Sequence, residues 1–272
     1  MCDRHSDVET GTRARLTDLS SWSKRDIVRA LAAGTLALVA PGCVTNPETG
    51  ASQLILIDDA SLNQMALQAW AQQRQQTPVW NNSAAQQRLQ RVGMRIANGA
   101  GRGHESWEFV LFDTPDKNAF VLPGNKVGFY RGLFEMSERD DWMATVLGHE
   151  VGHVTGRHAA ERISREMATQ TALSAAGTQI ESGALMQALG LGATVGLSLP
   201  FTRAQESQAD ILGLNYMHAA GYDVKQAIPF WTAMASGGGG SRPPEILSTH
   251  PAPSTRIAEI RNYINAQGWG PV

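Results

Sequence analysis

The chain has 272 residues, 42% of them hydrophobic and 18% charged, with a formal net charge of −2. That composition supports one sizeable core and excludes an electrostatic grip on nucleic acid, which needs a concentrated basic face. The two cysteines, Cys2 and Cys43, are too few for a disulfide framework and form no CxxC zinc pair.

Ile27 to Gly42 is an apolar, Ala-rich stretch that follows Lys24, Arg25 and Arg29. It is short for a membrane span but suits the hydrophobic region of an export signal. Small residues precede Cys43, which resembles a bacterial lipoprotein signal whose cysteine becomes the lipidated first residue of the mature chain. The box departs from the usual pattern at Ala40 and Pro41. Residues 1–42 are therefore expected to be a signal peptide, with an uncleaved anchor as the alternative. Ser23-Lys24-Arg25-Asp26-Ile27 also resembles a lysine variant of the twin-arginine signal. Val44, rather than Asp, follows the cysteine, the pattern expected for outer-membrane sorting, and the acyl chains would hold the protein on a membrane facing the periplasm.

Cys43 to Ser52 (CVTNPETGAS) is turn-rich, so residues 43–57 read as a tether ahead of a single domain over 58–272. Ser61 to Gln75 and Ala84 to Ala97 carry apolar residues at helical spacing and read as two surface helices. Trp107 to Phe112 reads as a strand. Lys117 to Leu122 and Lys126 to Tyr130 flank Pro123-Gly124-Asn125, a turn signal, and predict a hairpin. Asp140 or Asp141 can cap a long helix running through about Arg165. Ser182 to Thr202 carries no charge, but its glycines, Gln187 and small residues make it read as two short helices near the active site rather than a membrane span. A helix from Arg203 to Ala219, a flexible Gly237–Gly240 linker and a closing helix from Ser254 to Asn265 complete the chain. The sum is a mostly helical α+β fold with one small antiparallel sheet.

His149-Glu150-Val151-Gly152-His153 carries the chemistry. Four helical residues advance the azimuth by about 40° beyond a full turn, so both imidazoles face one side, as two ligands of a tetrahedral zinc require. Glu150 is offset by about 100° from His149. It can reach the open coordination position and move a proton there. The metzincin pattern would need a histidine at 159, which is Ala159, and on a continuing helix His158 points away; it is expected at the surface or behind the ligands. Glu206 and Asp210 share one helix face. Glu206 could bind zinc while Asp210 accepts the outer N–H of a ligand histidine, although a solvated acidic face has the same spacing.

NAFVLPG at 118–124, HEVGH at 149–153, ESQAD at 206–210 and THP at 249–251 together resemble the HtpX and CAAX-prenyl-protease type of gluzincin, in its periplasmic lipoprotein branch. CVTNPETG at 43–50 is similar to that branch as well. Asn125 stands where relatives usually have a second glycine. The resemblance implies a zincin-like fold with an HExxH active-site helix, one zinc ion per chain, Glu206 as the third ligand beside His149 and His153, and peptide-bond hydrolysis.

The edge strand at Asn118, Ala119 and Phe120 is expected to pair with an extended substrate through main-chain hydrogen bonds. His250, in a proline-stiffened loop, could donate to the oxyanion as a catalytic residue, occupy the open zinc position, or simply be solvated. The expected function is zinc endopeptidase action on unfolded or misfolded cell-envelope proteins, with outer-membrane assembly machinery as a possible partner. The alternatives are a chaperone or outer-membrane assembly factor with structural zinc, and an integral-membrane protease.

Overall fold

The computed structural model describes residues 43–175, 201–236, 246–250 and 255–271. It begins with two short strands, β1 (Cys43–Thr45) and β2 (Ser52–Leu54), and two helices, α1 (Asp59–Gln76) and α2 (Ser83–Gly99). Three strands follow, β3 (Glu108–Phe112), β4 (Ala119–Leu122) and β5 (Lys126–Tyr130). Then come α3 (Arg131–Met136), α4 (Asp140–Thr155), α5 (His158–Ala175) and α6 (Arg203–Ala219). A 3-10 turn at Val224–Gln226 leads into α7 (Ala227–Ala235), and α8 (Ile246–Thr249) and α9 (Arg256–Ala266) close the chain.

Side chains on a strand alternate between faces, and here each face of the sheet finds its own core. Phe109, Leu111, Val127 and Phe129 enter the main core with α2, α4, α6, α7 and α9. Val110, Phe112, Phe120, Leu122 and Tyr130 enter a smaller core under α1. Ala66, Trp70 and Gln73 lie on one buried face of α1, and Trp70 meets the edges of Phe112 and Phe120. Full burial of each such aromatic contributes roughly 1.5–3 kcal/mol.

The predicted hairpin forms, with β4 antiparallel to β5. The expected all-antiparallel sheet does not. β3 pairs with β5 in parallel, giving a mixed sheet of order β3-β5-β4. The reason is topological: the chain from β3 to β4 passes over the end of the sheet, so β5 inserts between them.

The long helix predicted through Arg165 is two helices. Arg157 takes a left-handed φ of 54°, which ends α4 and starts α5 in a new direction. Nor is Asp140 or Asp141 the N-cap, which is Arg139 without a side-chain bond. Both carboxylates lie in the first turn, favourable for the helix dipole. Asp140 accepts from Arg88 at 2.7 Å and Asp141 from the Asp223 backbone N–H at 2.9 Å. At the other end of the fold α6 begins at a capping box, Thr202 with Gln205.

The segment expected as a tether carries an antiparallel ribbon, β1 on β2. Its buried side chains serve the broken end of α4. Asn46 donates to the Thr155 carbonyl at 3.0 Å, and Gln53 donates to the Gly156 carbonyl at 2.7 Å. These are carbonyls that a terminating helix leaves unpaired. Cys43 is disulfide-bonded.

α4 and α6 cross at glycines. A Cβ at Gly148 would lie 2.9 Å from the Gly213 carbonyl oxygen, and one at Gly152 would lie 2.7 Å from that of Ala209. Backbones this close bring the histidines of α4 directly against the carboxylates of α6. No helix among the described residues is long and apolar enough to cross a membrane. The readings of residues 1–42, 182–200 and 237–240 lie outside the described residues.

Candidate active site

His149 and His153 lie one turn apart on α4 with Nε2 atoms 3.0 Å from each other. Glu206, on the first turn of α6, brings a carboxylate oxygen within 3.4 Å of each. His250 completes the group, its Nδ1 3.2 Å from His149 Nε2 and 3.1 Å from a Glu206 oxygen. All four side chains are buried, and one ligand atom from each lies within 4.8 Å of the others.

The donor chemistry fits a cation. His149 Nδ1 is 2.9 Å from Asp210 Oδ1. A carboxylate can only accept, so one proton of His149 sits on Nδ1. The Nε2 atoms of His149 and His153, a Glu206 oxygen and His250 Nδ1 form a compact set of nitrogen and oxygen donors of the kind that holds zinc. Ligand atoms about 2.0–2.2 Å from a tetrahedral zinc stand roughly 3.3–3.6 Å apart, close to the spacings found.

The electrostatics follow the same logic. Burial opposes charge on His149, but the Glu206 charge and the Asp210 hydrogen bond overcome it and raise the pKa to about 10. Burial holds His153 neutral, well below the usual histidine range. Glu206 is also penalised by burial, yet the surrounding histidines keep it far below the usual carboxylate range.

Glu150 differs from every other acid here. It is 1% exposed, and neither carboxylate oxygen has a hydrogen-bond partner. Burial raises its pKa above the ordinary value, with the nearby His250 and His149 acting in the opposite direction. His250 Nε2 stands 3.6 Å away.

The edge strand is placed as expected, though its outward backbone is not that of all three residues. Asn118 spends its carbonyl on the Tyr130 N–H at 3.0 Å. By the alternation of an antiparallel pair, Phe120 faces β5 as well, while Ala119 and Val121 turn outward. The Val121 N–H is near enough to lower the Glu150 pKa from β4, beyond hydrogen-bonding geometry. The segment bearing His250 is moored to the same edge, for Ile246 donates its backbone N–H to the Lys117 carbonyl at 3.2 Å and buries its side chain in the core.

Arg256, which sequence reasoning did not single out, ties the acids together. Its Nε donates to Asp210 at 2.7 Å, a terminal nitrogen donates to Glu206 at 2.6 Å, and its guanidinium lies 4.1 Å over the Trp231 ring. Its acids are 46 and 50 residues away, so no local spacing could have revealed it. Phe201, just before α6, stacks on His153 with ring centroids 3.8 Å apart. His158 is fully buried behind His153, not at the surface.

A family model described as Peptidase family M48 matches residues 83–264. The beta-barrel assembly-enhancing protease of Escherichia coli (strain K12) is 31% identical over 258 residues, covering 89% of this chain and 53% of that protein. The mitochondrial metalloendopeptidase OMA1 of Schizosaccharomyces pombe is 35% identical over 178 residues, 65% of this chain and 52% of that one. Its namesake in Arabidopsis thaliana is 35% identical over 151 residues, 56% of this chain and 30% of the relative. The chain thus spans about half the length, or less, of these curated relatives.

Proposed function

The chain belongs to peptidase family M48, and from that premise we propose that it is a zinc-dependent endopeptidase, with one zinc on His149, His153 and Glu206. One observation carries the reading: a carboxylate with no hydrogen-bond partner, that of Glu150, is buried beside four converging donor atoms. A structural site has no use for such a group.

Zinc held there would polarise the scissile carbonyl and activate a water at neutral pH. Glu150 would take a proton from the attacking water and return it to the leaving amine. Its burial favours the protonated form, which helps it hold the proton between the two transfers. Asp210 keeps His149 in the tautomer that leaves Nε2 free, and Arg256 fixes both acids of α6. The outward backbone at Ala119 and Val121 pairs with an extended chain and reads little of its side chains. Unfolded or misfolded proteins fit that mode of recognition.

His250 Nδ1 lies 3.2 Å from His149 Nε2 and 3.1 Å from Glu206, and we read it as the residue that fills the open zinc position in a resting enzyme. A closed set of four protein ligands is also the mark of structural zinc, which favours, as a second reading, a chaperone or assembly factor. Replacing His250 separates the two. In a peptidase, His250→Ala should hydrolyse casein faster than the parent while keeping one zinc per chain; a structural site would gain no activity. Chelation should silence the parent chain and zinc should restore it. Casein cleavage that survives exhaustive chelation would sink the reading.

We further infer an envelope location, with lipidated Cys43 on an outer membrane and the active site facing the periplasm. Misfolded envelope proteins would be the substrates and outer-membrane assembly machinery the neighbour, in keeping with the name of the E. coli relative. Lipidation requires a free Cys43 thiol, which loss of residues 1–42 would leave as the only cysteine. Mass spectrometry of the mature amino terminus decides this. An unmodified Cys43 or an intact leader contradicts it.

A further inference from the structure

The two histidines of the HEVGH helix are held from behind in different ways. His149 has a carboxylate, Asp210, on its outer nitrogen. His153 has another histidine. Its Nδ1 is 2.9 Å from Nδ1 of His158, whose Nε2 is in turn 3.0 Å from Oε1 of Gln208. We propose that His158 is a positioning residue that locks His153 in the tautomer able to bind zinc, with Gln208 setting the direction of the relay; this rests on the zinc reading above.

The direction follows from which atoms can donate. An amide oxygen only accepts, so the Nε2 of His158 carries a proton and donates it to Gln208. A buried neutral imidazole has one N–H, so the Nδ1 of His158 is left as a lone pair. It accepts from the Nδ1–H of His153, and the Nε2 of His153 is thereby free to face the metal. A reversed relay would put a proton on that Nε2 and exclude it from coordination.

The chain is built to make this contact. On an unbroken helix His158 would point away from the ligands. The left-handed Arg157 breaks the helix and returns His158 beneath His153. Gly156 makes room for the ring, since a Cβ there would lie 2.5 Å from His158 Nε2. Gln208 sits on α6 between Glu206 and Asp210. One helix therefore supplies a zinc ligand, the partner of His149, and the residue that orients the partner of His153.

Two measurements on the full chain test the proposal. Long-range proton–nitrogen spectra of the zinc-loaded wild type should show His158 protonated at Nε2 and His153 at Nδ1. A His158 protonated at Nδ1 overturns the proposal without any substitution. Zinc affinity, measured by chelator competition, should fall on the order of 10–100-fold in His158→Leu. His158→Asn, which keeps an oxygen near the place of Nδ1, should recover most of the loss, whereas a purely volumetric role predicts no such rescue. If folded His158→Leu binds zinc like the parent, the relay is refuted while the peptidase reading stands. If the wild type binds no zinc, that reading fails and the relay with it.

Discussion

Arg256 offers the sharpest test of how the site is held. It is 2% exposed and neutralises two acids, Glu206 and Asp210, at 2.6 and 2.7 Å. Arg256→Met keeps much of the volume, and its side chain can still lie over Trp231, but both carboxylates lose their buried counter-charge. Removing one partner of a buried ion pair costs about 3–5 kcal/mol. For a domain of this size that is a fall in Tm of roughly 6–20 °C. A bound zinc supplies positive charge to Glu206 independently of Arg256. The deficit should therefore be largest in chelator and should shrink when zinc is restored. Scanning calorimetry of both proteins in both conditions reads the effect. A metal-free variant within about 1 kcal/mol of its parent, well below the buried-pair range, would refute the claim that Arg256 neutralises the acids.

Other expectations follow from the helix crossing and from the charge on His149. Gly152→Ala sets a Cβ 2.7 Å from the Ala209 carbonyl oxygen, a backbone atom that cannot swing aside. The overpacking cost of about 1–3 kcal/mol should exceed the gain of roughly 0.5–1 kcal/mol from replacing a helical glycine. Zinc affinity should fall with stability, because α4 and α6 are pushed apart beside His153; a variant as stable and as tightly metallated as its parent would contradict the close crossing. With its pKa raised to about 10, His149 is doubly protonated at pH 8 and must shed a proton to coordinate. Zinc binding at pH 8 should therefore release about one proton from this residue, and the release should fade as pH rises through 10. Calorimetric titration in buffers of different ionisation enthalpy counts it, and a count near zero at pH 8 would contradict the charge assignment.

What could be read from the sequence was what lies close along the chain. His149, Glu150 and His153 declare themselves because helical spacing alone puts them on one side. The hairpin was legible from a Pro-Gly-Asn turn between apolar runs. The parallel pairing of β3 with β5 was not, because register between distant strands is set by the path of the connection. Nor was the break at Arg157, since arginine carries no expectation of a left-handed conformation, and the whole placement of His158 turns on that residue. Gly156 did carry a signal. It stands three residues after His153, where the metzincin pattern has a glycine, and the structure uses it to admit the His158 ring. The ribbon at 43–57 looked like a tether because its turn residues are conspicuous. Its docking depends on Asn46 and Gln53, two polar residues whose partners lie more than 100 positions away.

The central claim is that Glu150 moves protons at a zinc that it does not bind. Glu150→Gln removes the base and none of the proposed ligands, and the amide is nearly isosteric. The decisive measurement is single-turnover hydrolysis of an unfolded protein by this variant, with its zinc content determined on the same sample. The account predicts one zinc per chain and no detectable cleavage. Wild-type turnover at full zinc occupancy, or loss of the metal together with the activity, would contradict it.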